Sequence, residues 1–489
     1  MTNKEFDIQY TRKLTGWAYR QMKWLTEKEA EKANRKRNEL LNSISGSVHS
    51  KYLGNKIHTG KLSPGCATCG QGTWSCLFIG SLCTANCFFC PQDRKAKKNQ
   101  PPVESGLLFD KPRDYVDYLA KFRFRGVGFS GGEPLLMFGK LVSYIRKIRE
   151  SLDRKIYIWV YTNGDLVDRD KLNILKESGL NEIRFNIAAR NYDLGAVKLA
   201  AGIIDTVTVE IPAIPEDYET VKRCLHKMQA AGVAHLNLHQ LSASPYCYQN
   251  FINRNYTFLH QPEIPVMESE ITALRLTKYA LQNRIGLPIN FCSLIYKHRM
   301  QKKGYRERLR PFVKKDYEGT TESGFIRRLA VQDTPANIRK LVNKFQENGY
   351  RDNLWFAKKT GRKLFIHHSL LKYVDFHKHS LFVTYLAPKL TAVREGSRES
   401  SEEIALNPCR SLFAGKSPAY QTRIRNFVPV RSYQELFIKK MDSSTVFRKF
   451  YRDYDLKTKA GIDEMRDDKD QLEYLKTWEC IGSGPHEIY

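Results

Sequence analysis

The sequence predicts an α/β fold built as a partial barrel of parallel strands and helices, with a basic N-terminal extension and a smaller mixed C-terminal domain. From Trp74 to about Ser293, short apolar runs alternate with longer amphipathic stretches. Such alternation is typical of parallel strands that are connected by helices. The length agrees, because 489 residues with 42% hydrophobic content can bury a large core.

Six strand–helix units and a seventh apolar run account for this region. The strands are expected at residues 74–80, 127–130, 156–162, 182–186, 205–211, 235–239 and 287–291. The helices are expected near residues 112–122, 136–151, 169–179, 193–202, 217–231 and 268–283. Active sites of such (β/α)6 arrangements lie at the carboxyl ends of the strands, so the turns that follow the apolar runs are the places to inspect.

Three regions are predicted along the chain. Residues 1–65 form a basic, partly helical extension, with one helical stretch from about Trp17 to Leu41. Residues 66–295 form the barrel, which includes a cysteine-rich loop. Residues 296–489 form a basic linker and a mixed α+β domain. In this last region β-type runs are expected at residues 363–371 and 381–391, and an exposed loop at residues 395–403.

The charge is strongly basic. Lysine and arginine number 80 against 52 aspartates and glutamates, a net charge of +28. This excess suits a polyanionic or acidic protein partner, and a merely solvated basic surface is an equal alternative. Residues 296–315 hold nine Lys or Arg with Tyr305 and Phe312 between them, which fits either single-stranded nucleic acid or a solvated basic helix. No apolar run approaches membrane-spanning length and no signal peptide is evident, so a cytoplasmic protein is expected.

Six of the eleven cysteines lie within 25 residues. Cys83, Cys87 and Cys90 follow the first predicted strand with the spacing C-x3-C-x2-C. Three thiolates on one short loop can hold three irons of a 4Fe-4S cluster and leave the fourth iron open, whereas structural zinc takes four protein ligands. These three cysteines are the predicted metal ligands.

A second element follows the second predicted strand, about 40 residues after the cysteines, and reads Gly131-Gly132-Glu133-Pro134. Paired glycines allow a ligand to approach the backbone closely, and a carboxylate can pair with an ammonium group. Together with the cysteine loop, whose third cysteine follows an aromatic residue, this element resembles the radical S-adenosylmethionine (radical SAM) superfamily. The spacing around the loop resembles the branch related to pyruvate formate-lyase activating enzyme.

The resemblance implies a TIM-like partial (β/α)6 barrel of radical SAM type that binds a 4Fe-4S cluster and S-adenosylmethionine. In such enzymes the glycine-rich element binds the methionine amino group, and polar residues at later strand ends contact the rest of the cofactor or the substrate. The implied cofactor-binding residues are Gly131, Gly132, Glu133, Thr162, Asn163, Asn186 and Glu210, with Arg184, Asn237 and His239 as further candidates.

The implied function is reductive cleavage of S-adenosylmethionine to a 5′-deoxyadenosyl radical that abstracts hydrogen from a substrate, with a flavodoxin or ferredoxin as reductant. The basic charge and the long C-terminal region favour a macromolecular substrate, RNA or protein. A small molecule or peptide natural product is the alternative substrate. The non-enzymatic alternative is a zinc-stabilised RNA-binding protein that uses residues 66–90 as ligands and residues 296–315 as contact surface.

Two further groups suggest metals. Cys66, Cys69 and Cys76 form a possible second site, with Cys292 as a possible distant ligand, although Cys76 lies within a predicted strand and is equally expected in the core. Cys66 and Cys69 precede the first strand, which predicts a position opposite the active site. The other group consists of four histidines. Structural or surface roles are favoured for them, because adjacent residues of a strand point to opposite faces and so only His377 and His379 could share a face. Its members are His367, His368, His377 and His379.

Overall fold

The computed structural model describes residues 3–93, 100–152, 155–261, 263–375, 378–394, 401–424, 436–437 and 471–482. It divides into two compact units. The barrel unit contains Lys4–Lys302 and Leu406–Arg410, and the second unit contains Lys303–Ala405 and Ser411–Gly482. The N-terminal extension is therefore part of the barrel unit, and the three-part division of the chain stays a prediction. None of the described helices is both long enough and apolar enough to span a bilayer.

The barrel unit is built on seven parallel strands that neighbour one another in chain order. They are β1 (Trp74–Phe78), β2 (Gly126–Ser130), β3 (Tyr157–Thr162), β4 (Glu182–Phe185), β5 (Thr206–Pro212), β6 (His235–His239) and β7 (Ile289–Cys292). Lys56–His58 pairs antiparallel with β7, and Val103–Glu104 pairs antiparallel with β1, so these two strands flank the parallel set at its ends. This open arrangement confirms the predicted partial barrel.

Six helices connect the strands and cover the outside of the sheet. They are α1 (Pro112–Lys121), α2 (Phe138–Ser151), α3 (Arg169–Glu177), α4 (Gly195–Ala201), α5 (Tyr218–Ala230) and α6 (Met267–Gln282). Each forms because its apolar residues recur at helical spacing. In α2, for example, Leu141, Ile145 and Ile148 are buried on one face.

The single helical stretch predicted at residues 17–41 is wrong. The structure has one helix at Asn3–Thr15 and a second at Glu27–Ile44, separated by a 3-10 turn at Gly16–Arg20. The second helix begins at residue 27 because the Thr26 side chain accepts from the Glu29 N–H, and the Glu29 carboxylate accepts from the Thr26 N–H in return. The apolar residues between positions 17 and 25 instead lie in this turn and in a short strand, Lys23–Trp24, that pairs with Thr257–Phe258.

The second helix is fastened to the barrel by a buried ion pair. Arg37 is 3% exposed, and its guanidinium donates to the Glu270 carboxylate of α6 at 2.9 Å. Because both groups have left water, each depends on the other for its stabilisation. This pair explains why a charge-rich extension packs as part of the barrel unit.

The second unit is a mixed domain with an antiparallel sheet of seven described strands. Six of them are β8 (Ile326–Gln332), β9 (Trp355–Ala357), β10 (Lys363–Ile366), β11 (Ser380–Thr391), β12 (Glu402–Asn407) and β13 (Arg410–Arg423). They run in the order β9-β10-β8-β11-β13-β12, and the short strand Gly319–Thr320 pairs with β8. Helix α7 (Pro335–Glu347) covers one face of the sheet with Ile338, Leu341 and Phe345. The predicted run at 363–371 is a strand only as far as Ile366, and most of the loop predicted at 395–403 lies outside the described residues.

Replacing Arg37 with methionine leaves the Glu270 carboxylate buried without its guanidinium. We expect the free energy of unfolding of the barrel unit to fall by about 3 kcal/mol. Denaturant unfolding followed by native-state hydrogen exchange on α6 measures this loss. Arg35→Met on the exposed face of the same helix is the matched control, with an expected change below about 0.5 kcal/mol. Equal stability of the two variants would contradict the assigned role of the pair.

Candidate active site

The beginning of the cysteine loop is joined by backbone hydrogen bonds to the turn after β2. The Gly132 N–H donates to the Gly80 carbonyl at 2.8 Å, and the Glu133 N–H donates to the Leu82 carbonyl at 2.6 Å. Both turns lie at the carboxyl ends of their strands, where active sites of parallel barrels are built. The structure therefore brings the predicted cysteine and glycine-rich elements together.

The two glycines are required by the close approach of these backbones. A Cβ atom on Gly131 would lie 2.3 Å from the Gly80 carbonyl oxygen, and one on Gly132 would lie 2.0 Å from the Leu82 carbonyl oxygen. Gly131 also has φ of +145°, a conformation that other residues rarely adopt. The glycines thus seat the cysteine loop against the second strand, a role separate from any ligand.

The Glu133 carboxylate connects this turn to the turn after β3. It is 2% exposed and accepts from the Leu135 N–H at 3.0 Å, the Thr162 hydroxyl at 2.9 Å and the Asn163 N–H at 2.8 Å. Burial raises the pKa of Glu133, although these three donors oppose the shift. The carboxylate that was predicted to pair with an ammonium group is therefore already used within the protein.

Asn163 extends the chain of contacts back to the cysteine loop. Its side-chain amide donates to the Thr84 hydroxyl at 2.9 Å and lies 3.9 Å from the Cys83 sulfur. Its amide oxygen accepts from the Asp165 N–H, which fixes the turn. The turns after the first three strands are consequently one hydrogen-bonded structure, which we call the rim.

Asn186 adds the end of β4 to the rim, because its N–H donates to the Thr162 carbonyl at 2.9 Å. The side-chain oxygens of Asn186 and Ser81 are buried and have no hydrogen-bond partner among the described residues. A cavity of 260 Å³ beside Asn163 and Gly164 opens next to this edge. Buried oxygens without partners are costly unless a ligand or water satisfies them, so the rim is suited to a polar ligand.

The three predicted metal ligands differ in exposure. Cys83 is exposed, whereas Cys87 and Cys90 are half-buried. Partial burial raises the pKa of Cys83, while the hydrogen bond from the Ala85 N–H lowers it and the nearby Cys90 raises it further. In the described part of the chain, no three Cys, His, Asp or Glu side chains lie close enough to share a metal ion. The thiols of Cys83, Cys87 and Cys90 are therefore not close enough together in this structure either. Gathering them requires side-chain movement within the loop, so metal binding is expected to order it.

The loop is anchored by its aromatic residues. Phe88 and Phe89 pack against an apolar cluster that includes Phe251, and the Arg254 guanidinium lies 3.6 Å from the centre of the Phe88 ring. The Asn250 amide donates to the Phe88 carbonyl at 3.0 Å. Asn250 and Arg254 were not predicted, since nothing in their sequence neighbourhood marks a contact with residues about 160 positions earlier.

The barrel interior holds a buried network around Glu210. Its carboxylate accepts from Arg184 at 2.8 Å, Asn237 at 2.7 Å and His239 at 2.7 Å, and Arg184 also donates to Glu182 at 2.8 Å. Burial alone would raise the pKa of Glu210, but the Arg184 guanidinium and His239 lower it well below its ordinary value. Glu210 is therefore an ionised group that is fully engaged by protein partners.

Helix Pro64–Gly70 lies at the amino ends of the strands, as the position of Cys66 and Cys69 predicted. A Cβ atom on Gly126, the first residue of β2, would lie 2.8 Å from the Thr68 side chain. A Cβ atom on Gly65 would lie 3.0 Å from Glu182, the first residue of β4. The helix that carries the two cysteines therefore contacts the amino-terminal residues of β2 and β4.

The set Cys66, Cys69 and Cys76 is not brought together as one group. The Cys76 sulfur is 3.1 Å from the Ser130 hydroxyl on the neighbouring strand. The Cys66 sulfur instead accepts from the Asn237 amide at 3.3 Å. Different partners on different strands separate Cys76 from the cysteines of the helix.

Cys66 and Cys69 instead share the surroundings of Cys292 and a buried lysine. The Lys56 ammonium is 3.8 Å from the Cys292 sulfur. Burial lowers the pKa of Lys56, but Cys292, Cys66 and Cys69 together raise it above its ordinary value. The thiols therefore surround a cation that the protein itself supplies.

The basic segment at residues 296–315 uses several of its cations within the barrel unit. The Lys297 ammonium is 3.1 Å from His239, and Arg299 donates to the Asn55 side chain at 2.7 Å. These two cations therefore make contacts within the protein, which neither the nucleic-acid nor the solvated-helix interpretation predicted.

The C-terminal histidines have separate contacts. His367 hydrogen-bonds with its neighbour Ser369 at 2.9 Å and lies beside His368, whereas His379 is 2.5 Å from Asp333. His377 lies outside the described residues. No described group of three donors includes these histidines.

Comparison with known proteins shows similarity over the region that contains the cysteine loop and the glycine-rich turn. The family model described as the radical SAM superfamily matches residues 77–198, which run from β1 through the glycine-rich turn into α4. A Methanocaldococcus jannaschii protein with the provisional name glycyl-radical enzyme activating enzyme MJ0021 is 27% identical over 310 residues, which cover 61% of this chain and 80% of that protein.

Solved structures are more distant. SuiB from Streptococcus suis bound to S-adenosylmethionine is 14% identical, with a TM-score of 0.32 over 45% of this chain and 50% of that chain. The radical SAM enzyme coproporphyrinogen III oxidase (HemN) from Escherichia coli is 14% identical, with a TM-score of 0.28 over 46% and 56%. This chain thus spans about half the length of these structures, and similarities this weak transfer no substrate.

The family match favours an enzyme over the zinc-stabilised RNA-binding alternative, because it includes Cys83, Cys87 and Cys90, although it begins after Cys66, Cys69 and Cys76. It also covers the first three turns of the rim. The chain is thus similar to the radical SAM superfamily over residues 77–198 and, over a longer stretch, to a protein named as a glycyl-radical enzyme activating enzyme.

Proposed function

We propose that this enzyme binds a 4Fe-4S cluster through Cys83, Cys87 and Cys90 and binds S-adenosylmethionine along the rim. The observation that carries the proposal is the hydrogen-bonded connection of the cysteine loop to the turns after β2 and β3 through Glu133 and Asn163. A cofactor that contacts both the cluster and the ends of later strands requires these turns to be held at fixed positions relative to one another.

The residues present fit both groups. Three thiols within eight residues suit a cluster that takes three protein ligands. The unpartnered oxygens of Ser81 and Asn186 suit a polar ligand at the same edge. When bound, the cluster would pass on an electron from an external reductant for the cleavage of S-adenosylmethionine, which would supply the radical for hydrogen abstraction from the substrate.

The side chains of the rim then have distinct roles. Glu133 holds the turns in place, so the glycine-rich element would meet the cofactor through its backbone. Thr162 and Asn163 position the third turn, and Asn186 offers its free amide oxygen. Direct contact of Glu210 with the cofactor stays a prediction, and its three protein partners support a positioning role.

We further propose a macromolecular substrate. The net charge of +28 and the presence of a second compact unit support it. The name of the Methanocaldococcus relative, an activating enzyme, points the same way, because such an enzyme acts on another protein. A flavodoxin or ferredoxin as electron donor and a cytoplasmic location stay predictions.

Cys87→Ala should abolish cluster binding and cofactor cleavage, since two thiolates cannot hold three irons. The measurement is iron and sulfide content after anaerobic reconstitution, followed by 5′-deoxyadenosine formation with dithionite. Cys409→Ala, which removes an exposed thiol far along the chain, is the control and should behave as the wild type. Undiminished 5′-deoxyadenosine from Cys87→Ala would refute the cluster assignment.

Asn186→Ala should weaken S-adenosylmethionine binding about tenfold, because one hydrogen bond to a charged or polar ligand contributes about 1.5 kcal/mol. Equilibrium dialysis on the reconstituted enzyme measures the Kd, and an unchanged iron content shows that the loop is intact. Asn173→Ala on the exposed side of α3 serves as control. A Kd equal to that of the wild type would remove Asn186 from the cofactor site.

The possible second metal site is tested by replacing Cys83, Cys87 and Cys90 together with alanine. We expect this variant to retain no stoichiometric iron or zinc, because the Lys56 ammonium already occupies the surroundings of Cys66, Cys69 and Cys292 and opposes a metal cation there. Metal analysis of the reconstituted protein decides the matter. A full complement of bound metal in the triple variant would establish the second site.

A further inference from the structure

We propose that an exposed apolar and basic face of the N-terminal segment is the docking site for an acidic electron-carrier protein. The inference rests on the proposed function and deepens it by naming where the reductant binds. We call this face the N-terminal patch. Its apolar side chains and its cations are Tyr10, Leu14 and Trp17 together with Arg12, Lys13, Arg20 and Lys23.

The apolar part of the patch lies on the first helix and on the turn that follows it. Tyr10 and Leu14 are four residues apart in helix Asn3–Thr15 and therefore share one face, and Trp17 follows in the 3-10 turn Gly16–Arg20. The three side chains are 43%, 45% and 63% exposed. A single exposed apolar residue needs no explanation, but three within eight residues indicate an interaction surface.

The inner side of the same helix is attached to the barrel unit by polar residues. Thr11 is fully buried and Thr15 is 3% exposed, and the Thr11 hydroxyl lies 2.8 Å from Nδ1 of His260. The His260 ring in turn stacks on the Trp24 ring, with ring centres 4.2 Å apart. A helix that buries two threonines while it exposes a tyrosine and a leucine departs from the usual burial of the apolar side. A partner that covers the outer side accounts for this arrangement.

One apolar cluster joins the patch to the cysteine loop. Ala18 in the turn of the patch and Met22 just after it are buried in this cluster. Phe88 and Phe89, which lie between the second and third cysteines of the loop, pack against the same cluster. Because electron transfer slows steeply with the distance between redox centres, a reductant gains from docking in the neighbourhood of this loop.

The charges of the patch favour an acidic partner. Its four cations are exposed, and the sequence contains no Asp or Glu from residue 8 to residue 26. The Arg12 guanidinium lies 5.0 Å from the centre of the Tyr19 ring, which holds one of these cations at the turn. Opposite charges on two proteins raise their encounter rate and set their orientation. A carrier with a negatively charged surface around its redox centre fits this distribution.

The size and charge of the patch favour this partner over two others. Transient electron-transfer complexes bury small interfaces, below about 1,200 Å² in total, which suits a patch with three apolar side chains. A second copy of this chain would bring a net charge of +28 with it, and like charges disfavour that contact. An anionic membrane would also attract the cations, but the connection to the cysteine loop favours the electron carrier.

The step that docking serves is the transfer of a single electron. The reduced carrier loses one electron to the oxidised 4Fe-4S cluster, and no bond forms or breaks. Dithionite is a small ion that delivers the same electron without a docking site. A comparison of the two reductants therefore separates docking from cofactor cleavage.

The test uses reduced flavodoxin and dithionite as reductants of the full-length reconstituted enzyme. Trp17→Ala should raise the KM for flavodoxin about tenfold, because loss of a tryptophan at the centre of an interface has an effect of this size. With dithionite the same variant should form 5′-deoxyadenosine at the wild-type rate. Trp17→Phe keeps an aromatic ring and should restore most of the flavodoxin-driven rate. Leu53→Ala removes another exposed apolar side chain of the barrel unit and is the matched control.

A second arm measures binding without turnover. The Kd of oxidised flavodoxin, determined by isothermal titration calorimetry, should rise in Trp17→Ala by the same factor as the KM. Lys13→Glu combined with Arg20→Glu should also raise this Kd and weaken its dependence on salt. Arg223→Glu combined with Lys227→Glu makes the same change in net charge on the exposed side of α5 and should leave the Kd close to that of the wild type. Thermal unfolding of every variant verifies folding.

Three outcomes would overturn the proposal. The first is a wild type that is active with dithionite but accepts no electrons from flavodoxin or ferredoxin. The second is a Trp17→Ala variant whose KM for flavodoxin is unchanged, or whose dithionite-driven rate falls as far as its flavodoxin-driven rate. The third is binding to vesicles of phosphatidylglycerol and phosphatidylcholine that Trp17→Ala abolishes while the Kd of flavodoxin stays the same, which would assign the patch to a membrane.

Failure of the proposed function gives a different result. A wild type that forms no 5′-deoxyadenosine with dithionite contradicts the proposed cofactor chemistry. The Kd of flavodoxin and its response to Trp17→Ala still decide the docking site in that case.

Discussion

The site depends on one buried carboxylate. Glu133 receives hydrogen bonds from its own turn and from the turn after β3, and its backbone N–H reaches the start of the cysteine loop. Because a buried carboxylate with three donors is costly to release, these segments are held in one arrangement. The relative positions of the cysteine loop and of the turns after β2 and β3 therefore depend strongly on this group.

Below the rim, the barrel interior contains a network of buried charged and polar side chains. A connected network of side chains is centred on Glu210, whose carboxylate accepts from Arg184, Asn237 and His239. Arg184 also donates to Glu182. Such a network is stable only when every member has its partner. It therefore fixes the ends of β4, β5 and β6 relative to one another, which supports the rim.

Much of the barrel could be predicted from the sequence, because a strand buried on both faces is a short apolar run and the helices between such strands are amphipathic. The run at 235–239 matches β6 residue for residue. The prediction of a helix over residues 17–41 began ten residues too early. The helix begins at Glu27 because the capping pair of Thr26 and Glu29 determines its first turn more strongly than the apolar residues before it. The sequence pattern around these cysteines also could not show that Cys76 lies apart from Cys66. Their hydrogen-bond partners, Ser130 and Asn237, belong to other strands that are distant in the sequence.

Helix Pro64–Gly70 gives the barrel a floor beneath the charged interior, on the side away from the cysteine loop. If the rim binds the cofactor, a substrate reaches it from the end of the strands that this helix does not cover. Any large molecule that this enzyme alters must therefore extend the reacting residue out of its own body, as a flipped base or a loose chain end does. Rigid, flat regions of a target would be sterically barred, and accessibility within the target would decide which position reacts.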